Sequence, residues 1–147
     1  MMPQSRERHY LLHPDSFQSL LNLLPEEGLN RMLLETNLLD IGAYAIYQNI
    51  YGIAVSSKTK KSQAERLVRS VKLIVKAINI IPSVPEFYTA ITKFGKSSLL
   101  SFTDAAHVYV SKRQNLILIV QNELQVEKLG KYVKCIDAPS FSRNSVN

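Results

Sequence analysis

Residues 101–123, SFTDAAHVYVSKRQNLILIVQNE, decide how the chain is read. Ser101 and Asp104 stand in capping-box spacing, so a helix opens here, and its pattern carries through about 103–113. The run 116–120, LILIV, is short, unbroken and apolar, as in a strand buried on both faces of a parallel sheet. A helix that passes at once into such a strand is half of a crossover unit, and parallel strands need that crossover.

The same grammar extends both ways. Upstream, residues 78–81 form another β-branched run bracketed by Pro82 and Pro85, and Pro85 suits the first position of a helix reaching Phe94. Gly95 is placed to end that helix in a left-handed conformation. Residues 62–77 are the clearest amphipathic helix, with Leu67, Val71, Ile74 and Ile78 in one stripe and Glu65–Arg69 as a favourable pair. Further back, 9–12 reads as a strand stopped by Pro14. A helix follows, with Asp15 as its N-cap, Gln18 three residues on, and Phe17, Leu20, Leu21 and Leu24 facing the core. Residues 26–34 are a second helix, 38–41 a brief strand or extended link, and Gly42 releases a Tyr-rich helix over 43–53, with a loop at 55–59. Downstream, 123–129 is a short helix and 132–136 a strand. Short apolar strands alternating with helices predict an α/β fold, a three-layer α/β/α sandwich with a central, mostly parallel sheet. Residues 8–137 make one domain, 1–7 a flexible lead-in and 138–147 a loose C-terminal tail.

With 147 residues and 46% hydrophobic content, the chain fills one core and not two. A net charge of +6 favours acidic partners such as RNA, DNA or an acidic protein. The single Cys135 has no partner for an internal disulfide and reads as a packed hydrophobe. No secretory signal and no membrane-length apolar run is present, since Lys72 and Lys76 interrupt the best window, so a cytoplasmic protein without membrane contact is expected.

The ordered phrases from Asn79 to Asp137, together with the upstream LLDIGAYAIYQNIY, resemble a PIN domain of the VapC-like kind, in the flavour of thermophilic archaea. The resemblance covers roughly 9–137. PIN domains of this kind are metal-dependent endoribonucleases, often toxins held by an antitoxin, and they commonly pair as dimers. Their site gathers four acids: after the first strand, in the second helical region, at the start of the penultimate long helix, and in the turn after the next strand. Asp104 matches the third, with His107 as a common companion. The other three positions fall on His13, Ala45 and Asn122.

Mg²⁺ and Mn²⁺ prefer oxygen ligands, and several carboxylates are needed to draw Mg²⁺ from water and aim an attacking water. An imidazole at His13 suits Zn²⁺ or Mn²⁺ better than Mg²⁺, Ala45 supplies no ligand, and Asn122 offers one neutral oxygen. Asp15, Asp40 and Glu123 lie near the vacated positions, but each has a plainer reading: an N-cap, a helix start and a helix N-terminal acid. Asp104 itself suits a first turn. His13 lacks a second His or Cys at metal-site spacing and reads as a hydrogen-bonded histidine.

The expectation is a PIN-fold protein that has lost nuclease activity and acts by binding RNA, a ribonucleoprotein or a protein, without a cofactor. The other reading is a VapC-like ribonuclease with a reduced acid site, in which Asp104 and some of Asp15, Asp40 and Glu123 hold Mg²⁺ or Mn²⁺. Lys58, Lys60, Lys61, Arg66, Arg69, Lys72 and Lys76, against the single Glu65, are the nucleic-acid contact, or else a solvated helix face. Tyr44, Tyr47 and Tyr51 share helical spacing and read as packing rather than base-stacking residues.

Overall fold

The computed structural model describes residues 8–146. Strands β1 (Tyr10–Leu12), β2 (Thr36–Leu39), β3 (Asn79–Ile81), β4 (Ile117–Val120) and β5 (Cys135–Asp137) form one sheet in the order β3-β2-β1-β4-β5. Every pairing is parallel, with Leu12 opposite Ile119, Leu39 opposite Ile81, and Val120 opposite Asp137. The helices are α1 (Pro14–Leu23), α2 (Glu26–Leu34), α3 (Asp40–Val55), α4 (Lys61–Ala77), α5 (Pro85–Ser98), α6 (Phe102–Gln114), α7 (Glu123–Leu129) and α8 (Ala138–Val146).

Alternating side chains of the strands feed two cores, and this makes three layers. Leu12, Leu38 and Ile119 point into one, with α1, α2, α3, α4 and α8. Leu11, Leu39, Leu118 and Val120 point into the other, with α5 and α6. The α/β/α sandwich expected from residues 101–123 is the observed architecture.

Arg8 ties the start of β1 to its surroundings. Its Nη1 donates to the carbonyls of Leu33 at 2.9 Å, Thr36 at 3.1 Å and Ala77 at 3.0 Å, joining the ends of α2 and α4 to β2. Hydrogen bonds from a charged donor contribute about 1.5–3 kcal/mol. Arg8→Ala is therefore expected to lower unfolding free energy by roughly 2 kcal/mol in guanidinium titrations, with little change for exposed Lys93→Ala.

Several boundaries differ from the sequence reading. Gly95 stays helical and α5 continues to Ser98, where Leu99 takes the left-handed position with φ 62° and donates its N–H to the Gly95 carbonyl. The N-cap of α1 is His13, not Asp15: the Asp15 N–H donates to His13 Nδ1. Residues 138–146 are the helix α8 rather than a loose tail. Asp137 accepts from the Ser140 N–H and hydroxyl at its start, and Ala138 and Phe141 are buried in the first core. The last strand begins at Cys135, and β3 is a sheet edge with Asn79 and Ile80 exposed rather than a buried strand. Cys135 is half-buried, which pushes its thiol up to about 11. The lead-in 1–7 lies outside the described residues.

Candidate functional site

Parallel strands deliver their following residues to one rim of the sheet, where open α/β sheets bind ligands. His13 follows β1, Asp40 follows β2, Gln121 and Asn122 follow β4, and Asp137 ends β5. Above the β1–β4 pair, Ser101 caps α6 by accepting from the Asp104 N–H, which fixes Asp104 in the first turn.

Asp104 meets His13 there. The His13 Nε2 lies 2.8 Å from Asp104 Oδ1 and only 1% of the histidine is exposed. Because the Asp15 amide donates to Nδ1 at 3.2 Å, Nε2 carries the proton that Asp104 accepts. The second oxygen is taken as well: Lys128 Nζ donates to Asp104 Oδ2 at 3.3 Å. The His13 hydrogen bond, aided by the electrostatic pull of His13 and then by the hydrogen bond and charge of Lys128, holds the Asp104 carboxyl down at about 2 against the opposing effect of burial.

Helix α7 supplies this cation and a second contact. Lys128 and Gln125 are three residues apart and share a helix face. Gln125 Nε2 reaches Asp15 Oδ2 at 3.4 Å, and its Oε1 accepts from the Gln121 N–H at 2.7 Å. Asn122 caps α7 by accepting from the Gln125 N–H at 3.1 Å. Gly130 closes the helix, where a Cβ would stand 2.3 Å from the Val126 carbonyl oxygen, so only glycine fits.

Behind the pair lies His107, fully buried. Its ring centroid is 4.9 Å from that of His13, and its Nδ1 donates to the Thr103 carbonyl at 2.7 Å. Among the described residues its Nε2 has no hydrogen-bond partner, and it faces Gly42, where a Cβ would come within 3.2 Å. Burial, with the nearby His13 acting in the same direction, pushes its pKa down to about 3. Ala45 sits one turn along α3 from Gly42, half-buried and without a polar group.

Of the other acids, Asp15 keeps its Oδ2 3.7 Å from His13 Nδ1. Burial opposes ionisation of Asp40, yet the Ser83 hydroxyl and amide and the Ile41 amide all donate to it and bring its pKa below the ordinary value. Glu123 lines a cavity with Asn122, Leu124, Asp137, Ser140 and Arg143. Among the described residues, no group of three or more His, Cys, Asp or Glu is placed to hold a metal ion. The donor set around Asp104 does not fit Mg²⁺ or Mn²⁺: one carboxylate faces an imidazole N–H and an ammonium, both of which repel a cation.

The sequence placed His13 and Asp104 at one site, and the structure joins them directly. Lys128 and Gln125 were missed. Their only sequence signal is that a lone acid at a buried helix start needs a cation, and nothing in the pattern says which one.

The seven cations of 58–76 are exposed along α4 and the turn before it. Arg66 also works locally, donating to the Leu21 carbonyl at 2.9 Å at the end of α1, and with Arg69 it lines a cavity beside Glu26, Leu29 and Ser70. The tyrosines depart from the packing expectation. Tyr47 packs on the core, but Tyr44 and Tyr51 are exposed by 64% and 69%. No described helix is long and apolar enough to cross a membrane.

No family model matches the chain, and no curated protein matches it. Solved structures do. PAE2754 from Pyrobaculum aerophilum is similar over 97% of this chain and 98% of its own, with TM-score 0.74 and 15% identity. FitAcB from Neisseria gonorrhoeae is similar over 88% of this chain and 97% of its own, with TM-score 0.56 and 19% identity. FitAB bound to an IR36 DNA fragment is similar over 88% and 94% of the two chains, with TM-score 0.54 and 14% identity. At these identities the likeness is one of fold, and the fold is PIN-like.

Proposed function

We propose that this chain is a PIN-fold protein that works by binding, with RNA, a ribonucleoprotein or a protein as partner, and that it has lost metal-dependent endoribonuclease activity. One observation carries the reading: both oxygens of Asp104 are occupied by donors of the chain itself, His13 and Lys128. In a hydrolytic site those oxygens would face a divalent ion and its water. Here the ammonium of Lys128 neutralises the carboxylate, while Ala45 and Asn122 add no charge. Asn122 is in addition committed to capping α7.

The chain's basic balance and the exposed cations of α4 favour a polyanionic partner. That FitAB, a protein of similar fold, is solved bound to DNA is in keeping with a nucleic-acid-associated role.

Incubating purified protein with labelled RNA in Mg²⁺ or Mn²⁺ tests the loss of activity. The expected result is intact RNA at every metal concentration, alongside metal-independent binding that weakens steeply with salt. Cleavage that EDTA stops and Asp104→Ala removes would restore the VapC-like reading with a reduced acid site.

A further inference from the structure

The α3–α4 hairpin carries a surface that the Asp104 site does not use. Tyr44, Gln48, Tyr51 and Val55 follow i, i+4, i+7, i+11 and so fall within about 60° of the α3 circumference. All four are exposed, and Tyr47, off this stripe, is the tyrosine that packs inward. On α4, Lys61, Val68, Lys72 and Val75 repeat the pattern over a similar arc and are exposed too. The turn between the helices adds Lys58 and Lys60. Among the described residues, neither Tyr44 nor Tyr51 stacks on another ring.

We infer that the outward face of this hairpin is a platform for single-stranded RNA, on which Tyr44 and Tyr51 stack against bases while Lys58, Lys60, Lys61 and Lys72 neutralise phosphates. The inference deepens the binding role proposed above and rests on it. Charge complementarity selects the occupant. Flat rings interleaved with cations match a strand that presents unpaired bases and phosphates together, whereas a duplex keeps its base faces stacked inside. A second copy of the chain would set four lysines against four lysines, and Glu65 is the single acid that residues 58–76 offer against them. The two rings lie about 10 Å apart along α3, far enough to take different bases.

Fluorescence anisotropy with a labelled oligouridine, read across a potassium chloride series, tests this on the full chain. Tyr44→Ala with Tyr51→Ala is expected to weaken single-strand binding at least tenfold and leave the salt slope unchanged, and Phe at both positions to restore it, because stacking needs the ring and not the hydroxyl. Replacing Lys58, Lys60, Lys61 and Lys72 with Gln is expected to flatten the slope by about 3, since each phosphate contact on a single strand contributes about 0.7. Wild-type affinity in the double tyrosine variant, with binding lost only in the lysine variant, would overturn the platform and leave RNA binding intact. A tyrosine variant that binds RNA normally but sediments as a smaller species than the wild type would assign the face to self-association instead. No binding by the wild-type chain would remove the RNA reading itself.

Discussion

Acidification below pH 6.5 is expected to unfold this protein progressively, and His107→Leu to flatten that dependence down to about pH 4. An unfolded histidine takes a proton near pH 6.5, whereas His107 in the folded core holds out to about 3. Between those values the unfolded chain binds one more proton than the folded chain. Stability is therefore complete above pH 6.5 and falls as pH drops toward 3. At about 1.4 kcal/mol per pH unit, the loss by pH 4.5 is on the order of 2–3 kcal/mol, a large share of a small domain's stability. The cause is geometric. Nε2 of His107 faces Gly42, and among the described residues it has no hydrogen-bond partner, so a proton placed there would be buried without an acceptor. The leucine variant loses only the Nδ1 bond to a helix carbonyl, which contributes about 1 kcal/mol. Urea titrations from pH 4 to 8 measure both slopes. Equal slopes in the two proteins would show that His107 gains a proton partner when the pH falls. Below pH 4 Asp104 adds a second loss: its depressed pKa gives stability that is present above the ordinary carboxylate value and disappears as pH falls through about 2.

Asp104→Ala is expected to destabilise the fold by about 2–4 kcal/mol at pH 7, and Asp104→Asn by distinctly less. The alanine leaves the His13 Nε2–H buried without an acceptor and removes the counter-charge of Lys128, whereas the asparagine oxygen still accepts from His13. The direction separates two kinds of site. Where several acids crowd together to hold a metal, deleting one relieves repulsion and the protein gains stability at the expense of activity. Here the acid sits among donors, so its removal costs stability. A gain in stability for the alanine variant would mean that further negative charge surrounds Asp104 in solution. A double-mutant cycle with Lys128→Met measures how much of the loss passes through the ammonium.

The layers of the fold were legible because parallel strands advertise themselves. ILIV at β4 is a short apolar run between helices, and a strand covered on both faces of a parallel sheet is the packing that buries it. Helix ends were less legible, since they depend on tertiary partners. Leu99 takes the left-handed turn expected at Gly95: Lys96–Ser98 carry α5 on, and the Ser97 and Ser98 hydroxyls donate to the Phe94 carbonyl in its last turn. Residues 138–146 look polar in isolation, yet Phe141 docks edge-on against Tyr10 at 4.9 Å and orders the helix. At the site, His13 and Asp104 were placed together through the family resemblance, on the strand that ends YLL and the helix that Ser101 opens. Lys128 was not: it comes from another helix, and its pairing depends on how α7 lies across the rim. Tyr44 and Tyr51 were misjudged for a related reason. Helical spacing gives a shared face but does not say which way that face points until α4 is packed beside it.

Both outer strands of the sheet, β3 and β5, are only three residues long. So short a stretch offers few unpaired backbone groups for an incoming chain to zip against, and edges of this kind guard against fibrillar growth. Assembly by annealing one sheet to another is thereby disfavoured, and the helices offer a partner the broader surface.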